Sequence, residues 1–271
     1  MSASAVDRYA VLGNPIAHSK SPAIHTAFAA QTAQPLSYER IEVPLDAFAA
    51  RVGELIRAGF RGFNVTVPFK EQAFTLAQHC TPRARAAGAV NTLMATADGL
   101  LGDNTDGAGL VADLRRLGAP LAGARVLLLG AGGASRGVIL PLRDAGVAEL
   151  AICNRTADKA LTLASEFGTA VQEPASADTP YDVVINATSA GLAGALPPLP
   201  AGAVAAHSFA YDMLYGAQPT AFMQHCAALG ARTADGLGML VGQAAESFAL
   251  WRGVRPDAAP VLEQLRAAMK A

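Results

Sequence analysis

The run Arg125-Val-Leu-Leu-Leu129 followed by Gly130-Ala-Gly-Gly-Ala-Ser135 limits what this chain can fold into more than any other segment. A short apolar run ended by glycine reads as a buried strand, and residues 135–145 read as a helix. Gly130 permits a tight turn between the two, and Gly132 lets the backbone approach a diphosphate. The helix N-terminus then presents free N–H groups to that anion. The fingerprint is incomplete, because Ser135 stands where G-x-G-x-x-G has its third glycine. A glycine-rich turn can also be purely structural. The strand before it and the helix after it favour a dinucleotide site.

The rest of the chain follows the same rhythm. Residues 8–12, 38–43, 60–67 and 90–95 read as strands, with one helix opening near Pro22, one ending at Gly59 and one starting at Phe69. A turn is expected around Asp98-Gly99. After Gly102-Asp-Asn-Thr-Asp-Gly107 come a helix at 110–117 and strands at 150–153, 183–186 and 209–212. Residues 191–202 read as a surface loop, and 239–251 and 258–269 as helices. Alternating strands and helices predict parallel α/β architecture. At 271 residues the chain suits two modest domains.

Composition removes several function classes. Hydrophobic residues make up 52%, much of it alanine, and no apolar run approaches the roughly 20 residues needed to span a bilayer. A net charge of -1 leaves no electrostatic footprint for nucleic acid or an anionic membrane. The first seven residues show no basic region followed by an apolar core, so a cytoplasmic protein is expected. Cys80, Cys153 and Cys226 have no metal-type spacing, and the five histidines form no paired-ligand pattern. No metal site is expected.

The strand end at Cys153 bears on which dinucleotide would bind. An acidic residue there would serve the ribose hydroxyls of NAD, but this chain has Asn154-Arg155-Thr156, with Lys159 one turn on. A guanidinium, a hydroxyl and an ammonium suit a 2′-phosphate, so the reading is NADP. The bland reading, a solvated helix start capped by Thr156, is compatible with it.

Three polar clusters interrupt the apolar N-terminal half: His18-Ser-Lys-Ser-Pro22, Asn64-Val-Thr-Val-Pro-Phe-Lys70, and Asn91 with Asp103-Asn-Thr-Asp106. Asn64 and Thr66 alternate with valines, so both are expected on one face of a strand end, with Lys70 within one turn. Strand C-termini in open α/β sheets face the ligand crevice. A lysine and an aspartate there can exchange protons with a substrate. Each cluster alone also reads as helix caps, a surface lysine or an Asx turn.

Taken in order, these segments resemble the shikimate dehydrogenase family along nearly the whole chain. The resemblance rests on Gly13-Asn-Pro-Ile-Ala-His-Ser-Lys-Ser-Pro22, Asn64 to Lys70, Gly88-Ala-Val-Asn-Thr92, Gly102 to Gly107, Gly130 to Ser135, Asn154-Arg-Thr156, Asp212-Met-Leu-Tyr215, and Asp235-Gly-Leu-Gly-Met-Leu240 with Gln243. It implies an N-terminal α/β substrate-binding domain (1–106 and 236–271) and a Rossmann-type NADP-binding domain (107–235), with the active site in the cleft between them. It also implies NADP-dependent interconversion of 3-dehydroshikimate and shikimate, in aromatic amino acid biosynthesis. By the same resemblance Lys70 and Asp106 are the catalytic pair, and Ser19 and Ser21 bind the substrate carboxylate. Asn64, Thr66, Asn91 and Gln243 would hold the ring hydroxyls, with Tyr215 closing the carboxylate end. Gly130, Ala131, Gly132, Gly133, Ala134, Asn154, Arg155, Thr156, Lys159, Thr188, Met213 and Gly236 would line the cofactor site. The partners implied are the small-molecule substrate, with no nucleic acid and no membrane, in a monomer or homodimer.

Two positions depart from the family pattern. Gly216 replaces a polar residue after Asp-x-x-Tyr, and Pro82 stands where an acidic residue is common. His18 reads as a structural polar residue rather than a catalyst, and His79, Cys80 and Trp251 as packing or surface residues. The rival readings are a quinate/shikimate dehydrogenase of relaxed choice, a non-catalytic NADP-binding sensor, and a folate-pathway dehydrogenase. The sensor would not need both Lys70 and Asp106, and the folate enzyme finds no support in the Ser19/Ser21 segment.

Overall fold

Short apolar runs become two six-stranded sheets in the computed structural model, which describes residues 6–270. The chain divides into two units: residues up to Gly109 with Val241–Gln264, and Leu110–Leu240 with the chain from Leu265 on.

The first unit contains β1 (Asp7–Gly13), α1 (Ser21–Thr32), β2 (Leu36–Glu42), α2 (Phe48–Arg57), β3 (Phe60–Val65), α3 (Lys70–Leu76), β4 (His79–Cys80), α4 (Pro82–Ala87), β5 (Thr92–Thr96) and β6 (Gly99–Asp103). Its sheet runs β2-β1-β3-β5-β6-β4. β2, β1 and β3 are parallel, whereas β5 lies antiparallel to both β3 and β6. The sheet is therefore mixed rather than purely parallel. Leu12, Val43, Phe48, Phe63, Phe69 and Leu93 form its fully buried core, with Phe48 stacked on Phe69 at 4.9 Å. The strand read over 60–67 stops at Val65. Beyond it, the Phe69 N–H donates to the Thr66 carbonyl at 3.0 Å, and this turn delivers Lys70 to the first position of α3. Asn64 is therefore inside the sheet, while Thr66 lies beyond its end.

The second unit follows α5 (Asp106–Arg116) with β7 (Arg125–Leu129), α6 (Gly133–Asp144), β8 (Glu149–Cys153), α7 (Ala157–Phe167), β9 (Ala170–Val171), β10 (Val183–Asn186), β11 (Phe209–Asp212), α8 (Ala221–Ala228) and β12 (Arg232–Asp235). Two helices follow, α9 (Leu237–Arg252) and α10 (Ala258–Lys270), of which residues 241–264 belong to the first unit. All six strands are parallel, in the order β12-β11-β10-β7-β8-β9. The chain starts in the middle, winds to one edge, and returns to build the other. That order reverses between β7 and β10, and open α/β sheets bind ligands outside the strand ends at such a point. Val126, Leu127, Leu128 and Leu129 are all fully buried, as expected of a strand covered on both faces. Cys153 and Cys226 belong to the same core, and burial pushes their thiols up to about 11 and about 12. The loop read at 191–202 is preceded by a 3-10 turn at Ala190–Ala193 that runs into it. Among the described residues, no helix is long and apolar enough to cross a membrane.

Candidate active site

Lys70 and Asp106 meet because two segment ends are tied to the same dipeptide. The Val90 N–H donates to the Lys70 carbonyl at 2.9 Å, and the next N–H, of Asn91, donates to the Asp103 carbonyl at 3.0 Å. The start of α3 and the end of β6 are thereby fixed side by side. Lys70 Nζ lies 2.6 Å from Asp106 Oδ2, and Asn91 Nδ2 donates to Asp106 Oδ1 at 2.8 Å. The lysine side chain is 31% exposed and the aspartate 15%, so the pair is held from behind and open in front.

Behind the pair lies a buried polar network. Asn91 Oδ1 accepts from the Thr105 N–H and from Thr92 Oγ1, both at 2.9 Å, while Nδ2 also reaches Thr105 Oγ1 at 2.9 Å and Gln243 Oε1 at 3.3 Å. Asn64 is the second hub. Its Oδ1 accepts from the Tyr38 hydroxyl at 2.7 Å and pairs with His25 Nε2 at 3.1 Å. Its Nδ2 faces Ser247 Oγ at 2.9 Å, Thr92 Oγ1 at 3.2 Å and the Asn91 carbonyl at 3.3 Å. Asn64, expected with Thr66 on one face of a strand end, is buried, and its amide is engaged within the protein.

His25 is a functional candidate that the motifs did not single out. It is fully buried, lies flat against Tyr38 at 4.3 Å, and burial lowers it from 6.5 to about 3, leaving it neutral. Its spacing held the signal. Ser21, Ile24, His25 and Phe28 recur at helical intervals and form the buried face of α1. His18, by contrast, is exposed, and Trp251 is a packing residue whose Nε1–H donates to the Leu93 carbonyl at 3.0 Å.

Ser19 and Ser21 lie together at the start of α1, with their hydroxyls 3.2 Å apart. Ser19 Oγ also accepts the Ser21 N–H at 3.3 Å, so it satisfies one helix-end donor even though Lys20 occupies the cap position. Ser21 further shares a hydrogen bond with the Tyr38 hydroxyl.

In the second unit the glycine turn makes an open cradle. Gly130 has φ +108, which L side chains rarely adopt, and a Cβ there would lie 3.1 Å from Thr188 Cγ2. A Cβ on Gly132 or Gly133 would meet nothing within 4 Å. The first-turn N–H groups of α6 thus have room for an anion and no acceptor within the helix. Ser135, at the third-glycine position, is fully buried, and its Oγ has no hydrogen-bond partner among the described residues. Thr188 Oγ1 donates to Asn186 Oδ1 at 2.7 Å beside this turn. Gly236 passes so close to Met213 that a Cβ would lie 2.2 Å from its carbonyl oxygen.

Asn154, Arg155, Thr156 and Lys159 surround the start of α7. Thr156 stands at the cap position without a side-chain cap bond, so the bland alternative of a helix start capped by its hydroxyl does not hold. The Asn154 amide instead bridges to the Thr156 carbonyl at 2.9 Å. A pocket of about 370 Å³, lined by Ala131, Arg136, Asp158, Lys159, Thr162 and Leu163, opens between α6 and α7. Arg155 is exposed outside that lining. Tyr215 is 37% exposed.

Three family descriptions match the chain: "Shikimate dehydrogenase substrate binding domain" over residues 11–93, "Shikimate / quinate 5-dehydrogenase" over 114–193, and "Shikimate 5'-dehydrogenase C-terminal domain" over 236–266. The chain is similar to a protein of Herminiimonas arsenicoxydans named shikimate dehydrogenase (NADP(+)). The two are 57% identical over 266 residues, covering 96% of this chain and 97% of that protein. Among solved structures, an Ael1 enzyme from Pseudomonas putida superposes with a TM-score of 0.91 at 46% identity, covering 96% of this chain and 98% of the other. The shikimate 5-dehydrogenase of Thermus thermophilus, solved with NADP(H) and shikimate, gives 0.88 at 39% identity, covering 97% and 100%.

Proposed function

This chain belongs to the shikimate dehydrogenase family, and from that premise we propose that it catalyses the reversible, NADP-dependent reduction of 3-dehydroshikimate to shikimate in aromatic amino acid biosynthesis. The observation that carries the chemistry is the Lys70–Asp106 pair, at 2.6 Å and open on one side. We place the enzyme in the cytoplasm, where its three unpaired cysteines stay reduced.

When bound, NADP carries hydride to or from the carbon that bears the reacting oxygen. The chain's own task is the proton. During reduction, Lys70 Nζ donates a proton to the oxygen as C=O becomes C–OH, and in the reverse direction the amine takes that proton back. Asp106 keeps the ammonium aimed and balances its charge, and Asn91 fixes the carboxylate by holding Oδ1. Ser19 and Ser21 take the substrate carboxylate with neutral hydroxyls at the positive end of α1. Thr66 and Gln243 take ring hydroxyls, and Tyr215 closes the carboxylate end. Asn64 and Asn91 contribute by exchange: each Nδ2 faces three acceptors with two hydrogens, so one partner can give way to a substrate oxygen.

The cradle suits a dinucleotide, given a glycine turn with open space above it and free helix-end donors. Gly130, Ala131, Gly132, Gly133 and Ala134 would hold the diphosphate. Asn154, Arg155, Thr156 and Lys159 would hold the 2′-phosphate, and Thr188, Met213 and Gly236 the remainder. Shikimate and quinate, each offered with NADP⁺ and with NAD⁺, test the proposal by the absorbance of reduced nicotinamide. Turnover is expected with shikimate and NADP⁺. No turnover in any combination would overturn it in favour of a binding protein.

A further inference from the structure

The hydrogen-bond network behind Asp106 has a direction, and that direction can be followed away from the catalytic pair. The Thr105 backbone N–H can only donate, so Asn91 must present Oδ1 to it at 2.9 Å and turn Nδ2 toward Asp106 Oδ1 at 2.8 Å. The second lone pair of Asn91 Oδ1 faces Thr92 Oγ1 at 2.9 Å and takes the threonine proton, with Ser247 Oγ, 2.8 Å from the same hydroxyl, placed to donate to Thr92. Thr92 Oγ1 then accepts from Asn64 Nδ2 at 3.2 Å. With its nitrogen on that side, Asn64 must present Oδ1 to Tyr38 and to His25 Nε2. Nε2 therefore carries the proton, and Nδ1 is left as a bare lone pair, buried without a partner. The opposite tautomer would set two lone pairs face to face and bury an N–H without an acceptor, which is the costlier defect.

We propose that His25 and Thr92 are positioning residues for the catalytic pair: a one-way relay, His25 Nε2–H to Asn64, Asn64 to Thr92, Thr92 to Asn91, Asn91 to Asp106, holds the carboxylate that aims Lys70. His25 anchors the far end of the relay. It is fixed between Tyr38 on one face and Phe248, Phe28 and Trp251 around it, at ring separations of 4.3 to 6.2 Å. A linked set of buried hydrogen bonds transmits the loss of one member to the rest. Misplacing a reacting group by about 1 Å can cost up to about 10²-fold in rate.

The inference rests on the proposed dehydrogenase activity, and the test separates the two. His25→Phe keeps the stack and removes the donor, and Thr92→Val breaks the relay in its middle. Each is expected to lower kcat by about 10-fold while the KM for shikimate changes far less and NADPH affinity, measured by fluorescence, stays level. His25→Gln, which can offer an N–H, should recover most of the loss. In the wild type with ¹⁵N-labelled histidine, long-range ¹H–¹⁵N NMR should show one imidazole held as the Nε2–H tautomer, and that signal should vanish in His25→Phe. If His25→Phe does not fold, Thr92→Val and the wild-type spectrum decide. Wild-type kcat in a folded variant, with only the melting temperature lowered, would overturn the relay, as would an Nδ1–H tautomer. A wild-type chain that turns over no substrate would instead overturn the dehydrogenase reading.

Discussion

The two proposed binding regions are built on opposite plans. Around Asn64 and Asn91, polar side chains are buried and bonded to one another, leaving only the front of the Lys70–Asp106 pair open. Around Gly132 and Gly133 a Cβ would meet nothing within 4 Å, and the first-turn N–H groups of α6 have no acceptor within the helix. A saturated network fixes geometry in advance, as proton transfer between close groups requires. An open cradle suits a ligand that must arrive and leave in every cycle. Damage should therefore appear as lost rate in the first region and as lost affinity in the second.

The sharpest way to break this contrast is at Lys70. Lys70→Ala should lower kcat by about 10²–10⁴-fold, the range for lost acid–base assistance, with NADPH affinity nearly unchanged. A near-normal kcat would remove the residue from the chemistry. On the other side, Arg155→Ala should weaken NADP binding by roughly 10- to 100-fold, the worth of a charge-assisted hydrogen bond. NAD binding and the melting temperature should not move, because the side chain is exposed. Titration of both nucleotides decides this, and equal losses would make Arg155 structural.

His25 gives a prediction in stability alone. Its folded value of about 3 lies below the ordinary 6.5, so the unfolded chain binds a proton that the native chain does not. Its contribution is complete above pH 6.5 and is lost as the pH falls from 6.5 toward 3, by up to about 1.4 kcal/mol per pH unit. Denaturant midpoints between pH 4.5 and 7 should fall more steeply for the wild type than for His25→Phe; parallel curves would contradict the buried neutral imidazole. The smallest effects are expected at the serines. Ser21→Ala should raise the shikimate KM about 3- to 10-fold, the worth of a neutral hydrogen bond, with kcat largely intact. Ser19→Ala should do the same and also lower stability by about 1 kcal/mol, because its Oγ accepts the Ser21 N–H. An unchanged KM in both variants would leave the pair a helix cap only.

Much of the second unit was legible because its strands are dense apolar runs. β7 and its glycine turn are marked by local composition, as are β10 and β11. β12 was not, since Arg-Thr-Ala-Asp carries no apolar signal. That strand exists through parallel pairing with β11, and Arg266 grips Asp235 at its end. β6 was missed for a similar reason: between two glycines, its pair of leucines is too short a run to register. In the first unit the site's residue types were legible and their connections were not. Nothing local in Asn64 reveals that His25, Tyr38, Thr92 and Ser247 use up its amide, because those partners come from four other segments. The valine alternation around Thr66 suggested a longer strand, and the turn closed by Phe69 cut it short.

The saturation around Asn64 and Asn91 also bears on how such a pocket can change over evolutionary time. Replacing either amide leaves the buried donors and acceptors around it unmet, at about 1–3 kcal/mol each, so single steps at Asn64 or Asn91 lose fitness before they gain anything. Compensating changes would have to arrive together. Thr66 is half-buried and Tyr215 is exposed, so neither carries this constraint, and each can be exchanged one step at a time. A descendant of this chain that accepts a differently substituted ring should therefore differ first at these two positions, with the inner amides and His25 still in place.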